Sequence, residues 1–285
     1  MRNLFKLAAL SGAFLISGSA GANVIDLFTD PVGGQVVSDV VNGGNADNTQ
    51  NFSEVGNFPA SIIGGYRDIK VDAISGANDG NSNGICETGD DCTVMNVGSG
   101  TLTFNNDTGV VGEGLVQWDG QDNSSDLNTT GLGGLNLINQ PGCPASGCTD
   151  FVFEVLNADQ GFEFQVGVWS NSSKFTNFIL ESDGTAGTNL LPFANFQNAS
   201  LCGAVNPFPG VKKIECGSGD SAPVNLTDVG AIQVLLNTAG TTAVDLRIGA
   251  IQKVPEPSVL ALLGIGFLAT GGIFRRKQSS LVTSS

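Results

Sequence analysis

Hydrophobic residues recur at every second position in short runs, and clusters of Gly, Asn and Asp separate the runs. The segments YRDIKVDAI (Tyr66 to Ile74), TLTFNN (Thr101 to Asn106), GLVQW (Gly114 to Trp118) and DFVFEVL (Asp150 to Leu156) follow this pattern. So do GFEFQVGVW (Gly161 to Trp169), AIQVLL (Ala231 to Leu236) and AVDLRIGAIQ (Ala243 to Gln252). Period two with Val, Ile, Phe and Thr predicts strands that turn one face to a core. NADQG (Asn157 to Gly161) reads as a hairpin connection between two antiparallel strands. No body stretch sustains the i, i+3, i+4, i+7 stripe of an amphipathic helix. The 40 glycines suit a fold with many tight turns. The expected architecture is all-β: an antiparallel β-sandwich, jelly-roll-like or immunoglobulin-like.

The two ends break this pattern. Arg2 and Lys6 precede the apolar stretch Leu7 to Ile16, and Ala20-Gly21-Ala22 supplies a small-x-small cleavage pattern. Residues 1–22 are therefore expected to be a signal peptide. At the other end, AVDLRIGAIQ runs almost directly into VPEPSVLALLGIGFLATGGIFRRK (Val254 to Lys277). Val259 to Phe274 is a single predicted transmembrane helix, at or below the lower length limit of a bilayer span and rich in glycine. Arg275, Arg276 and Lys277 would stop transfer with the C-terminus in the cytoplasm. The expected organisation is a β-sandwich domain over 23–253, a sorting segment over 254–277 and a tail over 278–285.

Charge narrows the function classes. Between the two ends lie 26 acidic and 7 basic residues, a net charge of −19. Such a surface repels phosphate backbones, so no nucleic-acid partner is expected. Histidine is absent, which removes the usual general base and the commonest zinc ligand. An enzyme would have to work through carboxylates alone, and a non-enzymatic role is expected. Carboxylate pairs such as Glu154 with Glu163, on adjacent strands, could imitate a glycosidase dyad, but two side chains facing outward on a wet sheet are the expected reading.

The six cysteines form three sequence-local couples. Fifteen connectivities are open, and local pairing is the simplest in an exported chain: Cys86 with Cys92, Cys143 with Cys148, Cys202 with Cys216. The first couple closes DGNSNGICETGDD (Asp79 to Asp91). Asp79, Asn81, Asn83, the Ile85 carbonyl, Glu87 and Asp90 there resemble the spacing of EF-hand and dockerin calcium loops, which makes calcium the candidate cofactor, with a disulfide-closed Asx-rich turn that holds no metal as the other reading. Asp90 stands where EF-hands place a bidentate Glu, and Cys86 where a hydrophobic residue packs. A second acidic cluster, Asp119, Asp122 and Asp126, could hold a second cation, but its spacing matches no ligand pattern well and a solvated loop is the expected reading. Core or rim packing is the expected account of Tyr66, Trp118 and Trp169, and stacking on sugar rings is the alternative that makes them candidates for a carbohydrate site.

Together VPEPS, the Gly/Leu-rich span and the RRK cluster look like the PEP-CTERM sorting signal of Gram-negative bacteria. The motif falls on Pro255, Glu256 and Pro257, with Arg275, Arg276 and Lys277 as its basic end. The tail Gln278 to Ser285 is longer than usual for that family. The resemblance implies recognition by exosortase, a membrane protease-transpeptidase, after export and transient anchoring in the inner membrane. It implies a final place on the outer surface or in the extracellular matrix. The expected role is structural or adhesive in an exopolysaccharide, biofilm or floc matrix, with a carbohydrate-binding module as the alternative.

Overall fold

A computed structural model describes residues 24–40, 51–76, 80, 86–140 and 143–255. The expected signal peptide, the span 259–274 and residues Glu256, Pro257, Arg275, Arg276 and Lys277 lie outside these. So do Asp79, Asn81, Asn83 and Ile85. Among the described residues, no helix is long and apolar enough to cross a membrane.

The described strands are β1 (Val24–Asp26), β2 (Gln35–Asp39), β3 (Phe52–Gly56), β4 (Tyr66–Ser75) and β5 (Thr93–Gly98). Next come β6 (Thr101–Asn106), β7 (Val111–Trp118), β8 (Asp150–Ala158), β9 (Phe162–Asn171) and β10 (Lys174–Ser182). The last are β11 (Gly187–Pro192), β12 (Val205–Phe208), β13 (Val211–Cys216), β14 (Ala231–Leu236) and β15 (Asp245–Val254). They form two antiparallel sheets. One runs β11-β8-β15-β6-β5-β2, with β1 also paired to β15; the other runs β12-β13-β10-β9-β14-β7-β4-β3. The chain crosses repeatedly from sheet to sheet, and its strand number exceeds the roughly seven to nine of an immunoglobulin domain.

Period two in the sequence becomes two-faced strands. In β4, Ile69, Val71 and Ala73 are buried, whereas Lys70 and Asp72 face outward. The core between the sheets takes Phe104, Phe151, Phe153 and Ile248 from one side and Trp118, Phe164, Phe178 and Ile232 from the other. Phe153 meets Phe164 edge-on across the gap, with centroids 5.7 Å apart. The segment α1 (Phe193–Phe196) closes one end, where Phe196 packs on Phe151 and Phe178. The cysteines pair as 86–92, 143–148 and 202–216.

One sequence expectation fails here. β8 and β9 do not form a hairpin: β8 pairs with β11 and β15, and β9 with β10 and β14. NADQG arches from one sheet to the other, so the two strands face each other across the core instead of lying side by side. Burial drives this, because both strands carry a phenylalanine-rich face.

Lys253 is placed against its chemistry. It pairs with Phe151 on the core side of β15, is fully buried, and its Nζ donates to Gln140 Oε1. Burial pulls its ammonium down to about 8. Above that pH the folded chain has released a proton that the unfolded chain still holds. Stability should therefore rise between about pH 8 and the ordinary lysine value near 10.5. Lys253→Met keeps the stem and removes the charge. Urea titrations should show a gain on the order of 1–2 kcal/mol at pH 7 and loss of the alkaline rise.

Candidate functional site

Register in the eight-stranded sheet lines up one row of residues on its outer face. Glu54 opposes Asp68, Asp68 opposes Gln117, and Gln117 opposes Gln233. The row continues through Gly167, Asn177 and Glu215, so it crosses every strand but β12. At about 4.8 Å per strand it spans about 29 Å. It is polar throughout except at Gly167, where the Trp169 indole lies over the backbone. A Cβ on Gly167 would sit 2.1 Å from that ring. Trp169 stacks on Phe175 with centroids 5.9 Å apart, and both are half-buried. Beside them Asn177 Nδ2 donates to Gln165 Oε1 at 2.8 Å. This part of the face offers an aromatic plate flanked by amides.

Tyr66 lies over Gly56, half-buried, and its hydroxyl donates to Asn57 Oδ1. Trp118 takes the core-packing reading and not the sugar-stacking one. Its alternation places it on the core face, fully buried, where Nε1 donates to Asp26 Oδ2 at 2.8 Å. It cannot stack on a ligand. Glu154 and Glu163 are no dyad either, since they sit on the outer faces of opposite sheets. Glu163 is held by Lys212 and by the Thr238 hydroxyl.

The other end of the polar row carries an unusual carboxylate cluster. The loop leaving β7 folds back over the sheet, with Leu132 N donating to Gly230 O and Leu135 bridged to Val229. Asp68 and Gln117 occupy outward positions, yet their exposures are 1% and 0%; Asp119, at the loop's start, is also at 0%. Carboxylate oxygens of Glu54, Asp68 and Asp122 lie within 4.8 Å of one another. Both Asp68 oxygens, Asp119 Oδ1 and both polar atoms of Gln117 have no hydrogen-bond partner. Burial, followed by the adjacent Asp119, Glu54 and Asp122 carboxyls, pushes Asp68 up to about 9. Burial raises Asp119 as well, against the Asn128 amide that hydrogen-bonds it. The solvated-loop reading of 119–126 is corrected: Asp122 and Asp126 are exposed, but Asp119 is interior.

Sequence reasoning missed Glu54, Asp68 and Gln117, because they come from three strands and meet only through register. In the 79–91 loop, Asp90 uses Oδ1 to accept from Gly80 N and Oδ2 to accept from Glu87 N. Away from the row, a groove of about 730 Å³ opens between β11 and the β12–β13 turn, beside Asp183, Leu190 and Phe208.

Two antiparallel sheets packed face to face, with a polar row on one outer face, define an all-β sandwich protein. Residues 253–277 match the PEP-CTERM protein-sorting motif, which begins at the end of β15. No curated protein sequence matches the chain. Among solved structures it is similar to the family 11 carbohydrate-binding module from Clostridium thermocellum in complex with a β-1,3-1,4-mixed-linked tetrasaccharide. That similarity has a TM-score of 0.33 at 12% identity and covers 83% of this chain and 97% of that one. The solution structure of CtCBM11 gives 0.34 at 12% identity, covering 84% and 98%. An exo-β-agarase gives 0.30 at 11% identity, covering 77% of this chain and 25% of that one. Likeness of this extent carries no functional argument, so the role rests on the chain's own residues.

Proposed function

We propose that the protein is an exported, exosortase-processed surface protein with a structural or adhesive role in an exopolysaccharide matrix. The observation that carries this reading is the PEP-CTERM motif at 253–277, which begins at Lys253, one residue before the last strand ends. Little tether separates fold and signal, so the sandwich would be held close to the inner membrane until the segment is processed. From there it would pass to the outer surface or matrix of a Gram-negative bacterium. The body's net charge of −19 keeps it soluble there and favours contact with neutral polymer or with cation-bridged acidic polymer. A non-enzymatic role agrees with the absence of histidine and with the burial of the Asp68–Asp119 pair, which substrate cannot reach. Fractionation of producing cells tests the reading. The protein should appear in the matrix fraction when the sorting protease is present and remain with the membrane when it is deleted. Membrane retention in both strains would count against it.

A second reading, a carbohydrate-binding module, is favoured by the Trp169–Phe175 plate on the polar row. Trp169→Ala should then abolish retardation in affinity gels that contain the producing organism's own polysaccharide, while leaving the thermal midpoint nearly unchanged. Equal retardation of both proteins would remove this reading.

A further inference from the structure

We propose that Glu54, Asp68, Asp119 and Asp122, with the Gln117 amide, form a site for one divalent cation, and that the cation is Ca²⁺. A cluster of acids alone would not support this. What does is the state of the buried oxygens. Asp68 is 1% exposed, and its oxygens meet no amide, hydroxyl or cationic donor, only the neighbouring Asp119 carboxyl; the Gln117 amide, at 0%, has no partner at all. Buried polar atoms are otherwise almost always satisfied, and an unpaired buried carboxylate is among the costliest groups a fold can hold. The charged groups acting on Asp68 are Asp119, Glu54 and Asp122, all acidic. Of the seven bases in the described body, Arg67 pairs with Asp26, Lys212 with Glu163 and Glu181, and Lys213 with Glu215; Lys70, on the same face of β4 as Asp68, and Lys174, Arg247 and Lys253 make no ion pair with the cluster.

The loop arrangement brings carboxylate oxygens of Glu54, Asp68 and Asp122 within 4.8 Å of one another, with Asp119 beside Asp68 and Gln117 opposite it in register. Asp119 uses Oδ2 to hold Asn128 N at 2.7 Å. Glu54 uses Oε2 to hold Asp122 N and Asn123 N, at 2.9 and 2.6 Å. Asp122 uses Oδ1 to hold Ser124 N at 3.0 Å. Each carboxylate thus spends one oxygen on shaping the loop and keeps the other. With both oxygens of Asp68 and Gln117 Oε1, the remaining set approaches the roughly six to eight hard oxygens that Ca²⁺ takes. Oxygen-only ligands exclude the thiolate- and imidazole-preferring metals. Mg²⁺ would demand a near-ideal octahedron and retain water, which suits a covered multi-carboxylate pocket poorly. A proton shared between Asp68 and Asp119 would satisfy that pair alone and leave the Glu54 and Asp122 charges against them. The site is independent of the sorting reading and of the 79–91 loop.

The test is calorimetric titration of CaCl₂ into the mature exported chain after chelator treatment, for native protein and three variants. Asp122 is exposed, so Asp122→Asn should fold normally and weaken calcium binding at least tenfold. Asp68→Asn should abolish binding at this site, together with the rise in thermal midpoint that about 1 mM Ca²⁺ gives the native protein. Asp90→Asn, in the other loop, should leave both unchanged. No uptake up to about 1 mM, or uptake unaltered in both Asp68→Asn and Asp122→Asn, overturns the site. Loss of all uptake in Asp90→Asn would likewise overturn it, by moving the ion to the 79–91 loop.

Discussion

Arg67→Ala is expected to cost about 3–5 kcal/mol in urea unfolding at pH 7, the largest loss of any single change considered. Arg67 belongs to the eight-stranded sheet and Asp26 to the other, so their ion pair spans the sandwich. Both side chains are fully buried, and Arg67 Nη1 lies 2.9 Å from each Asp26 oxygen. Arg67 also donates from Nε to Gln35 Oε1 at 2.9 Å and from Nη2 to Asp30 O at 2.6 Å, while its guanidinium lies 5.8 Å from the Phe28 ring centroid. Asp26 accepts in addition from Trp118 Nε1 and Phe28 N. Burial pushes the Asp26 carboxyl up; Arg67 and these donors pull it back.

Removing Arg67 leaves that carboxyl buried without its counter-charge. In the variant, folded Asp26 would hold a proton that the unfolded chain has released, so the deficit should grow as pH rises above the ordinary carboxylate value. Asp26→Asn combined with Arg67→Met removes both charges and should recover more than half of the loss. A double variant as unstable as Arg67→Ala would show that packing, and not charge, holds the two sheets here.

Gly131→Ala is expected to cost about 3 kcal/mol. The loop after β7 returns across its own start, and a Cβ on Gly131 would sit 1.5 Å from the Asp119 carbonyl oxygen. The opposing wall is backbone, so no side chain can swing aside. The crossing is tight from both sides: a Cβ on Gly120 would meet Gly131 O at 2.6 Å, and φ there is +91°. Gly187, on the edge strand β11, has nothing within 4 Å. Gly187→Ala should stay within about 0.5 kcal/mol of native and serves as the control. Equal urea midpoints for the two variants would mean that the loop is not pinned at Gly131.

How far these features can be read in the chain depends on how local their causes are. β6 and β14 were legible to the residue, because TLTFNN and AIQVLL bury alternate side chains against one core. β10 was not: Phe175 and Ile179 line one face while Phe178 and Leu180 line the other, so apolar residues on both sides erase the period. NADQG misled because a short polar connection looks alike whether it joins neighbours in a sheet or arches between sheets. Arg67 did leave a signal. It shares the inward face of β4 with Ile69 and Val71, and a charge at such a position requires a buried partner. Asp68 left none, since its outward position reads as solvated and only a loop from some fifty residues onward covers it.

The local disulfides and the C-terminal signal are the other legible features, each written within a short stretch. The signal also carries the account's central claim, that the sandwich is delivered by a sorting step and then released from its anchor. The most direct measurement is the intact mass of the mature protein from cells with and without the exosortase. With the protease, the mass should correspond to a chain that ends near Pro255-Glu256-Pro257 and lacks Val259 to Lys277. A mass that includes the whole C-terminal segment in both strains would contradict the account.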